Sequence, residues 1–225
     1  MTTRILAVET ATAACCAALS INGDIRERHA LAPRQHAALI LPMIESLLVE
    51  AELVVGQLDA IAFGRGPGSF TGVRIAASVA QGIAFGADLP VIAVSTLAAL
   101  AQGAMRETGE RHIMAALDAR MAEVYWGVYS QGREGLAVLQ GKECVCKPES
   151  VTVPPGHTWA GAGSGWDSYG QALMKRVGVR VIKVLPDLEP GARDLVCLAT
   201  DKFDRGEIIR PEDAVPVYLR DNVAN

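Results

Sequence analysis

Four glycines fall within nine residues in Gly64-Arg65-Gly66-Pro67-Gly68-Ser69-Phe70-Thr71-Gly72, and no other stretch limits the fold as tightly. The apolar Ile61-Ala62-Phe63 leads in. Behind the loop, Val73, Ala76, Ala77, Ala80, Ile83 and Ala84 recur at three- and four-residue spacing. The pattern predicts strand, glycine turn, helix N-terminus. Such a turn presents free backbone N–H groups at the positive end of a helix dipole, which suits a phosphate. Glycine also serves where another backbone must come close. Both readings stand at this point, and they concern Gly64, Gly66, Gly68, Ser69, Thr71 and Gly72.

Two phosphate-binding patterns are excluded. A Walker loop needs Lys followed by Ser or Thr after its last glycine, whereas Val73-Arg74 follows Gly72. A Gly-x-Gly-x-x-Gly fingerprint begun at Gly64 meets Ser69 at its third glycine, and one begun at Gly66 meets Thr71.

The 225 residues are 50% hydrophobic and 20% charged, enough for one large or two small domains. A net charge of -4, with Arg and Lys never in runs, argues against holding nucleic acid alone. The cysteines, Cys15, Cys16, Cys144, Cys146 and Cys197, form an uneven set that reads as reduced thiols of a cytoplasmic protein. Cys144-Val145-Cys146 is not a Cys-x-x-Cys redox or zinc motif. Cys15 and Cys16, adjacent on a strand, point to opposite faces and read as small buried hydrophobes. No apolar run reaches the roughly 18 residues of a membrane helix, and the N-terminus begins a strand, not a targeting segment.

In chain order, Ile5–Val8 is an apolar strand ending at Glu9-Thr10. Ala13–Ile21 is a second strand, Asn22-Gly23 a hairpin turn, and Ile25–Leu31 a third strand of edge character. Gln35–Ala51 reads as a helix with one stripe of Ala38, Leu41, Ile44, Leu47 and Leu48. Leu39, Ile40 and Met43 add a second apolar face, wider than one core contact needs. Pro42 is expected to kink this helix or mark its first turn. A strand at Asp59–Phe63, a helix at Thr71–Phe85, a strand at Val91–Val94 and a helix at Thr96–Arg106 complete the order βββαβαβα. That order resembles the ribonuclease-H-like half-domain of the actin, hexokinase and Hsp70 superfamily. A second, reduced half repeats the meander at Ile113–Leu117, Val124–Tyr129 and Leu136–Leu139. It continues with a strand at Trp159-Ala160, a helix at Tyr169–Val177, a strand at Val179–Val184 and a helix at Ala192–Phe203. The expected class is α/β, an actin-like (ASKHA) fold of two ribonuclease-H-like halves. The division is 1–105 and 106–225, with the last helix and tail packing back on the first half.

Few residues point to chemistry. His29, His36, His112 and His157 lack metal-ligand spacing, and His36 reads as a surface or interface residue. Ser164 lacks a nucleophile-elbow context. Asp118 either faces a cleft or pairs with Arg120 and caps a turn. Glu9 either faces the cleft or accepts nearby backbone N–H groups.

Ile5-Leu6-Ala7-Val8-Glu9-Thr10, Gly66-Pro67-Gly68-Ser69-Phe70-Thr71-Gly72-Val73-Arg74-Ile75, Asp118-Ala119-Arg120 with Glu123-Val124-Tyr125, and Pro216-Val217-Tyr218-Leu219-Arg220 together resemble the bacterial TsaB (YeaZ) family over the whole chain. The resemblance implies a subunit of the machinery that adds threonylcarbamoyl to the adenosine next to the anticodon in tRNAs reading codons that begin with A. It implies a paralogue of the catalytic subunit TsaD, once labelled a glycoprotease. Ala13, Ala14 and Cys15 stand where TsaD has acidic and hydroxyl residues. Thr96 and Leu100 stand where it has a metal-binding histidine pair, and leucine cannot ligate a metal.

The resemblance therefore implies a non-catalytic partner, with no catalytic residue, metal or cofactor expected on this chain. ATP and metal would belong to partner subunits. It further implies a helical heterodimer with TsaD, a larger complex with TsaE, tRNA contacted through the complex, and a homodimer when isolated. The expected interface comprises His36, Leu39, Ile40, Met43, Val73, Ala77 and Ala80. The rival expectations are an actin-like ATP-binding enzyme or a metallopeptidase active alone, and a binding module that keeps a nucleotide in the glycine loop.

Overall fold

A computed structural model describes residues 3–132 and 134–220. Two sheets carry the strands. The first has the order β3-β2-β1-β4-β5, built from β1 (Arg4–Glu9), β2 (Ala14–Ile21), β3 (Asp24–Leu31), β4 (Ala60–Gly64) and β5 (Val91–Val94). Strands β1 to β3 form an antiparallel meander turning at Asn22-Gly23, where both residues have positive φ. Strands β4 and β5 join parallel to β1 through helical crossovers. The second sheet has the order β11-β10-β6-β7-β8, from β6 (His112–Asp118), β7 (Val124–Gln131), β8 (Ala137–Leu139), β10 (Trp159–Ala162) and β11 (Val181–Leu185). A further strand, β9 (Cys144–Cys146), pairs with β7. It went unread in the sequence because three residues in a polar stretch carry no period.

Both faces of the first sheet are covered at its inner strands β1, β2 and β4, which are largely apolar, whereas the edge strand β3 is polar and partly exposed. Leu6, Val8, Cys15, Ala17, Ile61 and Phe63 pack under α1 (His36–Glu50) and α2 (Phe70–Ala87). Ile5, Ala7, Cys16, Ala18, Ala60 and Ala62 face the other way, against Ala192, Leu195, Val196 and Ala199 of α5 (Ala192–Asp204). The adjacent cysteines thus enter separate cores, as strand alternation requires. The second sheet lies between α3 (Thr96–Thr108), whose Leu97, Leu100, Ala101 and Ala104 pack on Ile113, Ala115 and Ala160, and α4 (Ser164–Val177), whose Trp166 and Leu173 pack on Met114 and Trp126.

Helices α3 and α5 lie side by side between the sheets, and each covers the sheet of the other half. A boundary at 105/106 falls inside α3, and the far end of the 106–225 half, 221–225, is outside the described residues. Arg106 of α3 clamps Asp194 of α5 with bonds of 2.9 and 3.0 Å, and Asp194 is buried.

Two helix readings need correction. Helix α1 runs unbroken from 36 to 50 with Pro42 inside it and exposed. Its buried stripe is His36, Ile40, Ile44, Leu47 and Leu48, so Ala38 and Leu41 of the expected stripe face outward. Helix α4 starts at Ser164 rather than Tyr169. Tyr169, at φ -131, is a non-helical kink within it.

Candidate functional site

A cleft of about 830 Å³ separates the glycine loop and the β1–β2 turn from the ends of the second sheet. Its walls include Ala11, Gly68, Ser69, Thr71 and His36 on one side and Asp118, Arg120, Tyr125 and Ser164 on the other, with Val217 to Arg220 along an edge.

The glycines are explained by close approach. A Cβ on Gly64 would sit 2.0 Å from Glu9 Oε2, one on Gly68 would sit 2.5 Å from the Ala11 carbonyl oxygen, and one on Gly72 would sit 2.0 Å from that of Thr10. Gly66 instead takes φ +99, a conformation that favours glycine. The loop is thereby locked onto the β1–β2 turn. The Ser69 N–H donates to the Ala11 carbonyl (2.7 Å), the Thr10 hydroxyl donates to the Gly72 carbonyl (2.7 Å), and Ser69 Oγ caps α2 by accepting from the Gly72 N–H (3.1 Å). The N–H groups of Phe70 and Thr71, the first two helical positions, have no protein acceptor among the described residues.

Glu9 ends β1 fully buried. Its Oε1 accepts the Ala11 N–H (2.7 Å) and its Oε2 accepts the Thr96 hydroxyl (2.8 Å). Burial raises its pKa to about 7 against these hydrogen bonds. Thr96 is thus spent on Glu9, and Leu100 is buried in the core under the second sheet. Among the described residues no three His, Cys, Asp or Glu side chains gather where they could hold a metal. Asp118 pairs with Arg120 (3.2 Å) and accepts its N–H (2.9 Å) and the Tyr169 hydroxyl (3.2 Å) while also lining the cleft, so both alternatives hold at once. Arg120, Met121 and Ala122 all have positive φ, at 61, 55 and 57.

Most of the residues expected at a partner surface are turned inward. Ile40, Val73, Ala77 and Ala80 are buried in the chain's own core, because α1 lies on β2 and β3 and α2 on β4 and β1. His36 is also buried, only 7% exposed, and its Nε2 has no partner among the described residues. Leu39 and Met43 are half-buried against the same core. What α1 and α2 turn outward is different. An apolar groove of about 350 Å³ runs between them, lined by Ala37, Ile40, Leu41, Phe70, Arg74, Ile75 and Val79 among others. Leu41 is 53% exposed and Phe70 64%. The Arg74 guanidinium lies 3.3 Å over the Phe70 ring and 5.0 Å from that of Tyr218. Further along, Phe85 is exposed, and Gly82 and Gly86 have nothing within 4 Å of where a Cβ would be. Their outward placement was not read in the sequence, because spacing shows how many apolar faces a helix has, not which one meets the sheet.

The family described as "TsaD: tRNA N6-adenosine threonylcarbamoyltransferase" matches residues 29–225. The tRNA threonylcarbamoyladenosine biosynthesis protein TsaB of Escherichia coli is 43% identical over 224 residues, spanning 98% of this chain and 96% of that protein. The chain belongs to the TsaB family. The Haemophilus influenzae TsaB is 39% identical across 97% of this chain and 94% of its own length. YeaZ from Pseudomonas aeruginosa, a solved structure, superposes with a TM-score of 0.91 at 47% identity, covering 96% of this chain and all of that one. The two-sheet, actin-like architecture is therefore that of the TsaB family and of the broader TsaD-like family around it. No helix among the described residues is long and apolar enough to cross a membrane.

Proposed function

We propose that this chain is a non-catalytic subunit of the cytoplasmic bacterial complex that adds threonylcarbamoyl to the adenosine next to the anticodon of tRNAs reading A-starting codons. It binds and activates TsaD. The observation that carries this is the outward face of α1 and α2. Leu41, Phe70 and Phe85 are exposed there, and Gly82 and Gly86 leave room for another helix to come close. The isolated chain gains nothing from that arrangement, since exposed helical glycines cost about 1 kcal/mol each relative to alanine. The same face pairs two copies when TsaD is absent.

Supporting the non-catalytic role, Thr96 and Leu100 are locked into internal packing at the positions where the paralogue's metal ligands are expected. ATP and metal belong to the partner subunits, TsaE joins the larger complex, and tRNA is held by the assembly, in keeping with this chain's charge of -4.

Reconstitution tests the reading. With tRNA, threonylcarbamoyl-adenylate and TsaD, modification is expected to depend on adding this chain, and the chain alone is expected to give none. Leu41→Glu is expected to weaken TsaD binding at least about tenfold, the loss of a buried apolar anchor, with an unchanged far-UV dichroism spectrum for the isolated chain. Full modification without this chain, or unaltered binding by the variant, overturns it.

A second reading has the cleft hold a nucleotide. It is favoured by the unclaimed N–H groups of Phe70 and Thr71 at the N-terminus of α2. Titration of the isolated chain with ATP distinguishes the two.

A further inference from the structure

Cys144 and Cys146 sit two residues apart on β9, so their side chains leave the same face of the strand. Their sulfurs are 3.8 Å apart and both residues are half-buried, within reach of a small reagent. The other thiols are placed differently. Cys15 and Cys16 are fully buried on opposite faces of β2, and Cys197, half-buried like the pair, has no second cysteine beside it on α5.

We propose that Cys144 and Cys146 form a dithiol reaction site for disulfide-class oxidants. The Cys144 sulfur, as thiolate, attacks one sulfur of a small disulfide. A mixed disulfide forms and one small thiolate leaves. The Cys146 sulfur, losing its proton, then attacks the Cys144 sulfur and expels the second small thiolate, which takes up the proton. Two protein thiols are oxidised to one internal disulfide and the reagent is reduced to two thiols. The contact between the sulfurs supports this order. Hydrogen bonding with Cys146 draws the Cys144 thiol down to about 7 against the opposing effect of burial, while the same contact pushes Cys146 up.

The product does not fit the strand unchanged. Positions i and i+2 of a strand lie about 6.6 Å apart at the Cα atoms, close to the upper limit of about 6.8 Å for a disulfide. Closing the sulfurs to about 2 Å pulls against the pairing of Cys144 with Trp126 and of Cys146 with Val124. Glu143 is the next residue. Its carboxylate accepts hydrogen bonds from the Ser95 and Tyr129 hydroxyls and lies 3.5 Å from Arg65 at the start of the glycine loop. Ser95 in turn caps α3 by accepting the N–H groups of Leu97 and Ala98. Oxidation of the pair therefore loosens a carboxylate that ties the second sheet to the first.

The test uses the full reduced chain and oxidised glutathione. Free thiols counted after unfolding are expected to fall from five to three, with peptide mapping placing the bond between Cys144 and Cys146. Cys146→Ser is expected to stop at a lasting glutathione adduct on Cys144. In the oxidised wild type, amide exchange at Leu97 and Ala98 is expected to speed up by about threefold or more, as a local opening would. Five surviving thiols, a lasting adduct on the wild type, or loss at Cys197 overturns the site. Unchanged exchange at Leu97 and Ala98 overturns its link to Glu143.

Discussion

Glu9 keeps a proton that an exposed carboxyl gives up two to three pH units lower. Its native pKa is about 7 against an ordinary 4.5, burial being the cause. Between those values the native chain holds a proton that the unfolded chain has lost, so this group's contribution to stability is complete below about pH 4.5 and falls away as the pH rises through 7. The size of the effect is about 3 kcal/mol at most. Glu9→Gln keeps an acceptor for the Ala11 N–H and removes the titration. Urea unfolding is expected to show the variant gaining on the wild type from pH 5 to pH 8, by about 1–3 kcal/mol at the upper end. Parallel curves would count against the buried proton. Part of this site was legible from residue order. Glu9 was expected to face the cleft or to bond to nearby backbone, and it does the latter. Its contact with Thr96 spans 87 residues of chain, and no local pattern announces a contact of that kind. The burial of His36 was hidden for the same reason: its neighbours in the core come from other elements.

At the scale of the element, period decides what can be read. Strands β1 to β5 and helices α1 to α3 follow from apolar spacing and from Asn22-Gly23, and their order matched the expectation. Helix phase did not follow. Ile40 and Leu41 are equally apolar, yet one is buried and the other half-exposed. Only the sheet beneath makes the distinction. The glycines of α2 divide similarly. Gly72 is required by the Thr10 carbonyl, whereas Gly82 meets nothing. Gly82→Ala is therefore expected to stabilise the monomeric chain by about 0.5–1 kcal/mol, the helix-propensity difference, as read by thermal or urea unfolding at concentrations too low for two copies to pair. Destabilisation would show that an unseen neighbour already occupies the space.

For the whole molecule, the two halves are not separable. The face of the first sheet formed by Ile5, Ala7, Cys16, Ala60 and Ile92 is covered by α5, which lies about a hundred residues downstream of that sheet's last strand. A fragment of residues 1–110 lacks that cover. It is expected to show near-native far-UV dichroism with poor near-UV signal and strong dye binding, the marks of a collapsed state without fixed packing. A well-dispersed amide spectrum from the fragment would show that the first sheet needs no second half. The division into halves is legible in the repeated meander. The crossing of α3 onto the second sheet is not, because that helix carries ordinary amphipathic spacing and nothing local says which sheet it will choose.

The packing of α5 on the first sheet also bears on how the chain is made. Synthesis runs from the N-terminus, so all five strands of the first sheet have left the ribosome while Ala192–Asp204 is still untranslated. Throughout that interval an oily flank stays uncovered on the nascent polypeptide, a natural foothold for holding chaperones and a hazard when many copies are translated at once. Slower elongation would lengthen the exposure, and supplying the missing helix as a separate peptide would shorten it.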